Sequence, residues 1–172
     1  MVRYHPLLIG IHWLVALGVL VAYITSGDPT EAGNAFEELI GQVHVAAGDM
    51  VAALVLLRLP LRLILGAPAA VPMPQWQALA AKGAHVALYG LMLLVPLAGW
   101  SALSERTDSF SVFGWSLPLM TTVPAPLSAL GDLHPLLGNA FLWLAGIHAA
   151  AALWHHFKEK DDTLKKMAPW VK

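Results

Sequence analysis

The chain of 172 residues contains no cysteine. That absence excludes disulfides, iron–sulfur clusters held by thiolates, and a covalently attached CxxCH haem, so any haem must be held by coordination and packing alone. Charge is scarce as well. Only 12% of residues are charged while 58% are hydrophobic, too little polar material to cover a soluble globule. The formal net charge of −1 gives no basic balance, and no soluble domain is left over to bind nucleic acid.

What is present is hydrophobic sequence gathered into four blocks, each near or above the ~20 residues needed to cross a ~30 Å hydrocarbon core. This predicts an all-α membrane protein, with residues 1–172 forming a single transmembrane domain of four helices in an up-down bundle. Helix 1 is expected over about Leu7 to Thr25. Its uncharged run from Pro6 to Gly27 lacks an A-x-A-like cleavage site, so it reads as a span and not a signal peptide. Asn34 followed by Glu37 has the form of a capping box, which starts helix 2 near Ala35 and carries it to about Leu65, with Pro60 expected to kink it. Gly66, Pro68, Pro72 and Pro74 make the next loop, and helix 3 covers about Gln75 to Leu103. The connection Ser104 to Gly131 is too hydrophobic for a free linker; Phe110, Phe113, Trp115 and Leu117 suit the membrane interface. Asp132 is the expected N-cap of helix 4, about 132–157, and the tail Lys158 to Lys172 reads as charged and cytosol-like.

Lys and Arg set the orientation. Arg3, Arg58, Arg62, Lys82 and the tail lysines 158, 160, 165, 166 and 172 fall on one side of a four-span topology, and Arg106 alone on the other. Both termini are therefore expected in the cytoplasm of a bacterium, with the chain multi-pass in its inner membrane. Each apolar block but the third contributes a histidine at depth, and the last contributes two, His134 and His148. Fourteen residues apart on one helix, these two lie within roughly 40° of one face and about 21 Å apart along the axis. Polar side chains inside lipid are expensive and usually functional. With the orientation above, His12 and His148 fall in the inner half of the membrane and His44 and His134 in the outer half. Two pairs at two depths are what two stacked haems need; histidines satisfied by hydrogen bonds between packed helices are the plainer reading.

Several local patterns accompany these histidines. They are Ile11-His12-Trp13; His44 with Gly48, Arg58 and Arg62; His85-x-x-x-Tyr89 with Pro96-Leu97-x-Gly99; Phe113-Gly114 with Pro118; and the run Leu133 to His156. Together they resemble the bacterial cytochrome b561 family of four-helix dihaem b proteins, related to the membrane cytochrome subunits of hydrogenases and formate dehydrogenases. The resemblance implies two haem b groups, with iron ligated by His12 and His148 at the inner site and by His44 and His134 at the outer. It also implies electron transfer to ubiquinone, an oxidoreductase activity, and superoxide oxidation at the outer face. Gly48, Gly138 and Gly146 lie close to ligand positions, where glycine lets a flat macrocycle approach a helix; ordinary close helix packing is the other explanation.

The remaining polar residues leave choices open. His155, seven residues beyond His148, could hydrogen-bond a quinone and shuttle its proton, in a pocket with His85 and Lys82; propionate partners or interfacial polar residues are the alternative. Arg58 and Arg62 either pair with inner-haem propionates or snorkel to lipid headgroups. His5 reads as surface and His156 as interfacial. Asp49, close after His44, has no family role and is either neutral by burial or partnered by a base. The outward loops carry Asp28, Glu31, Glu37, Glu38, Glu105, Asp108 and Asp132 against Arg106, a field that repels superoxide. Two other functions therefore stand beside the first: an anchor subunit linking a periplasmic redox protein to the quinone pool, and a haem-free transporter using histidines for metal or protons.

Overall fold

The computed structural model describes residues 3–171; Lys172, counted above with the tail lysines, lies outside them. Four helices are long and apolar enough to span a membrane. They are α1 (Pro6–Ile24), α2 (Ala35–Leu65), α3 (Gln75–Arg106) and α5 (His134–Trp154), with a short α4 (Ala125–Asp132) before the last and a π-helical turn, His155–Glu159, after it. Leu63, 86% exposed, and Trp143, 75% exposed, are typical of the outward faces, as expected where hydrocarbon and not water is the surrounding solvent.

The helix ends follow local chemistry. Asn34 accepts hydrogen bonds from the amides of Phe36 and Glu37, both 3.0 Å, and caps α2. Glu37 reaches back to the amide of Gly33 (2.7 Å) and not to that of Asn34, so the capping box is displaced by one residue. Pro60 and Pro96 are accommodated inside α2 and α3, as transmembrane helices tolerate. Phe113 and Gly114 both adopt positive φ, 49° and 86°, and join strands β1 (Ser111–Val112) and β2 (Trp115–Ser116) in a two-residue hairpin of the kind that needs such angles. The hairpin is tied to α2 by the Phe113 amide donating to Gln42 Oε1 at 2.8 Å.

In the packed bundle α1 lies along α2 and α5 along α3, with a narrower contact between α2 and α3 and little between α1 and α5. Ile11 and Val15 meet Val51 and Val55 in the buried core, flanked by Tyr89, Met92 and Leu93. Gly18 lets α1 approach α2 so closely that a methyl group there would fall 2.6 Å from Met50 Cε and 3.0 Å from Val51 Cγ2.

Two expectations need correction. Asp132 does not cap the last span: it ends α4, and Leu133 (φ −84°, ψ −5°) is the single-residue joint into α5. The connection before it is not merely an interfacial segment, because helix 3 continues to Arg106 and residues 125–132 are helical after Pro124. Their packing on α3 explains the apolar composition: Ser101 Oγ donates to the Leu127 carbonyl (2.6 Å) and Trp100 Nε1 to the Pro118 carbonyl (2.9 Å). The charged tail docks on the bundle. Trp13 Nε1 donates to the Met167 carbonyl (2.8 Å), Lys166 Nζ to the Ala69 carbonyl (2.7 Å), and Ala168 is buried. The tail thus folds back across the end of the bundle that carries both termini.

Asn34→Ala removes the acceptor for two first-turn amides of α2. It should cost about 0.5–2 kcal/mol, visible as a lower unfolding temperature in detergent.

Candidate functional site

The bundle interior brings the histidines together in pairs. The His12 and His148 rings have centroids 6.3 Å apart, and those of His44 and His134 are 6.0 Å apart. An imidazole–metal bond of about 2 Å on either side, plus roughly 1 Å from each ligating nitrogen to its ring centre, gives about 6 Å between the centroids of two axial ligands of one metal. Both pairs have this spacing. Direct imidazole–imidazole contact is seen elsewhere: His85 lies closer to His148, at 5.2 Å.

The His44–His134 pair is held by main-chain acceptors. His44 Nδ1 is 2.7 Å from the Ala22 carbonyl and His134 Nδ1 is 3.0 Å from that of Val95. A carbonyl can only accept, so each Nδ1 carries the proton and each Nε2 keeps its lone pair, the tautomer a metal requires. Both carbonyls are structurally apt. Ala22 is among the last four residues of α1, whose carbonyls lack full intrahelical partners. Val95 offers His134 the second lone pair of a helix carbonyl.

Between these two rings lies a cavity of about 520 Å³, lined by all four spans and within the roughly 300–1,000 Å³ of small-molecule and cofactor sites. Gly48 and Gly138 line it, and a Cβ at either, or at Gly146, would meet nothing within 4 Å. Close helix packing therefore does not account for these three glycines. Gly99 is different: a Cβ there would sit 2.9 Å from His134 Cε1 and 3.2 Å from Nδ1. It gives His134 its place. The paired donors, their tautomers and the space between them fit a bis-imidazole macrocycle.

The other candidates separate. Arg58, 6% exposed, donates to the Leu8 carbonyl (2.5 Å) and to Tyr89 Oη (3.1 Å), while Arg62 reaches the same oxygen at 3.4 Å. His85 Nδ1 donates to the Ala81 carbonyl, 2.6 Å away in its own helix. Lys82 is exposed. His155 meets neither; its Nδ1 lies 2.6 Å from Asp161 Oδ2. His5 Nδ1 accepts from the Leu7 amide at the start of α1. His156 stacks edgewise on Phe157, with a buried Nδ1 that has no partner among the described residues.

Sequence reasoning missed Asp161, Tyr89 as the shared arginine partner, and the two carbonyl acceptors. The His–x5–Asp spacing beyond a helix end could have drawn attention to Asp161; main-chain acceptors leave no residue-type signal. Burial alone would raise the Asp161 carboxyl, but hydrogen bonds from His155 and Thr163 outweigh it and hold it below the ordinary range. At the other end Arg106 pairs with Asp28 at the cavity mouth. Asp28 is likewise lowered, its desolvation outweighed by hydrogen bonds from Thr30 and Arg106.

A helical membrane protein with imidazole pairs at two depths belongs by architecture to the membrane cytochromes. The comparisons agree: the family model described as prokaryotic cytochrome b561 matches residues 3–170. A protein of Yersinia pestis called probable superoxide oxidase CybB is 32% identical over 97% of this chain and 96% of its own. Cytochrome b561 homolog 1 of Escherichia coli is 31% identical over 97% of each chain, and cytochrome b562 of Cereibacter sphaeroides 31% identical over 95% and 94%. The chain belongs to the prokaryotic cytochrome b561 family, a multi-pass membrane protein of electron transfer, and haem b is the cofactor that membership implies.

Gly99→Ala should displace the His134 ring and weaken haem retention or low-spin character at that site, read from the visible spectrum and haem content. Acidification offers a second check. Asp161 sits below its unfolded value of 3.8, so its share of tail stability is present above that pH and lost as pH falls through the folded value. Proteolysis of the tail should accelerate there, and Asp161→Asn should show the accelerated rate already at neutral pH.

Proposed function

We propose that the chain holds two b-type haems, one between His12 and His148 and one between His44 and His134, and conducts electrons across the bacterial inner membrane to ubiquinone. The observation that carries this reading is the pair of ring separations, 6.0 and 6.3 Å, on histidines that α5 spaces by about 21 Å. Haem held by these histidines would supply reversible one-electron chemistry.

The protein's own residues supply the rest. The Ala22 and Val95 carbonyls fix the orientation of the His44 and His134 rings. Arg58 and Arg62, braced by Tyr89, put positive charge near the inner site and suit propionate groups. At the cytoplasmic end, Asp161 orients His155 so that Nε2 is free to face a quinone carbonyl and hand on a proton; His85 and Lys82 are further candidates for that pocket. Both termini are cytoplasmic in this reading, which the distribution of Lys and Arg supports.

Superoxide is the proposed donor at the periplasmic face, giving O2 as the product. The Yersinia pestis relative, called a probable superoxide oxidase, supports it. The acidic outer loops oppose it, and Arg106 is the one cation on that side. It lines the cavity, is paired there with Asp28, and keeps 56% of its side chain exposed. The same acidic surface favours a second reading, an anchor that accepts electrons from a basic periplasmic redox protein. Membership of a cytochrome family leaves a haem-free transporter without support.

Purified protein should show two b haems per chain with low-spin bands in a dithionite-reduced minus oxidised spectrum, and His44→Ala and His12→Ala should each remove one. In proteoliposomes, superoxide should reduce quinone above the uncatalysed rate, and Arg106→Gln should slow it severalfold. A rate at background would remove superoxide as donor while leaving the haem count intact.

A further inference from the structure

Charge is distributed unevenly along the axis of the bundle. The cavity between His44 and His134 is lined by Asp28, Asp49 and Asp132 against Arg106 alone, and Arg106 is already paired with Asp28. Asp49 has no such match, forming no hydrogen bond or ion pair with another described residue. It lies five residues beyond His44 on α2, about 7.5 Å deeper along the helix, well inside the span. An unpartnered carboxylate at that depth is costly. A positively charged metal centre in the same cavity is a counter-charge that would hold it ionised.

The other histidine pair has the opposite surroundings. Arg58 is nine residues further along α2 and donates to the carbonyl of Leu8, one turn before His12. Arg62 follows one turn later and shares the Tyr89 hydroxyl with it. No acid is paired with either arginine among the described residues.

A carboxylate stabilises the oxidised, more positive form of a nearby redox centre and a guanidinium stabilises the reduced form. In a medium of low dielectric these effects reach far. We infer that Asp49 holds the His44–His134 site at a lower reduction potential than the His12–His148 site beside Arg58 and Arg62, so that the chain's fixed charges set the direction of electron flow from the first to the second. The inference rests on the two-haem reading above. No bond is made or broken in the transfer: one electron leaves the first site, which is oxidised, and enters the second, which is reduced. Superoxide or a periplasmic redox protein supplies the electron, and quinone removes it.

The test is a potentiometric titration of the haem-loaded protein in detergent at fixed pH, following the reduced b-haem absorbance. Wild type should titrate in two components, the lower being the one lost in His44→Ala. Asp49→Asn should raise that lower component by more than it raises the upper. Asp49→Glu should keep it low, and Arg62→Gln should lower the upper component. If the Asn variant fails to retain its haem, Asp49→Ser gives the same reading. A lower component unmoved by loss of the carboxylate, or a shift confined to the component lost in His12→Ala, overturns the inference. Fewer than two haems per chain in wild type would instead defeat the reading on which it rests.

Discussion

The structure depends on holding two imidazoles about 6 Å apart inside lipid, where each ring must also satisfy its second nitrogen. Water is absent at that depth, so the acceptor has to come from the chain. At the His44–His134 pair it comes from main-chain carbonyls: Ala22, in the last turn of α1, and Val95 in α3. The length of α1, the register of Val95 in α3 and the glycine at 99 are therefore parts of one requirement. Moving any of them changes where a ring nitrogen points.

The four spans and the sorting of the histidines by depth were legible in the sequence because both rest on regular periodicity. An apolar run of the right length must become a helix in lipid, and a fourteen-residue spacing on a helix fixes both face and rise. The junction before α5 was not legible. Asp132 is a good cap by residue type, yet the apolar residues after Pro124 find a better arrangement by packing a short helix on α3. The docking of the tail was not legible for a related reason. Its lysines mark it as polar, but the stem of Lys166, the buried Ala168 and the indole of Trp170 give it enough apolar surface to dock. The hydrogen-bonded pair of His155 and Asp161 crosses the end of a helix, where periodicity no longer relates one residue to the next.

The two halves of the bundle differ in what surrounds them. The His44–His134 pair borders open space, glycines and acids. The His12–His148 pair is set among arginines, a third histidine and the folded-back tail. Open room for a flat ring lies beside the first pair, and fixed positive charge beside the second.

The docking of the tail bears on how the molecule is made. Trp13 is translated among the earliest residues of the first span, and its indole partners are Met167 and Trp170. The spans can enter the membrane one after another during synthesis, but this seam can close only after the final span has been threaded. The end of the bundle nearest His12 is thus the last part of the protein to reach its finished form.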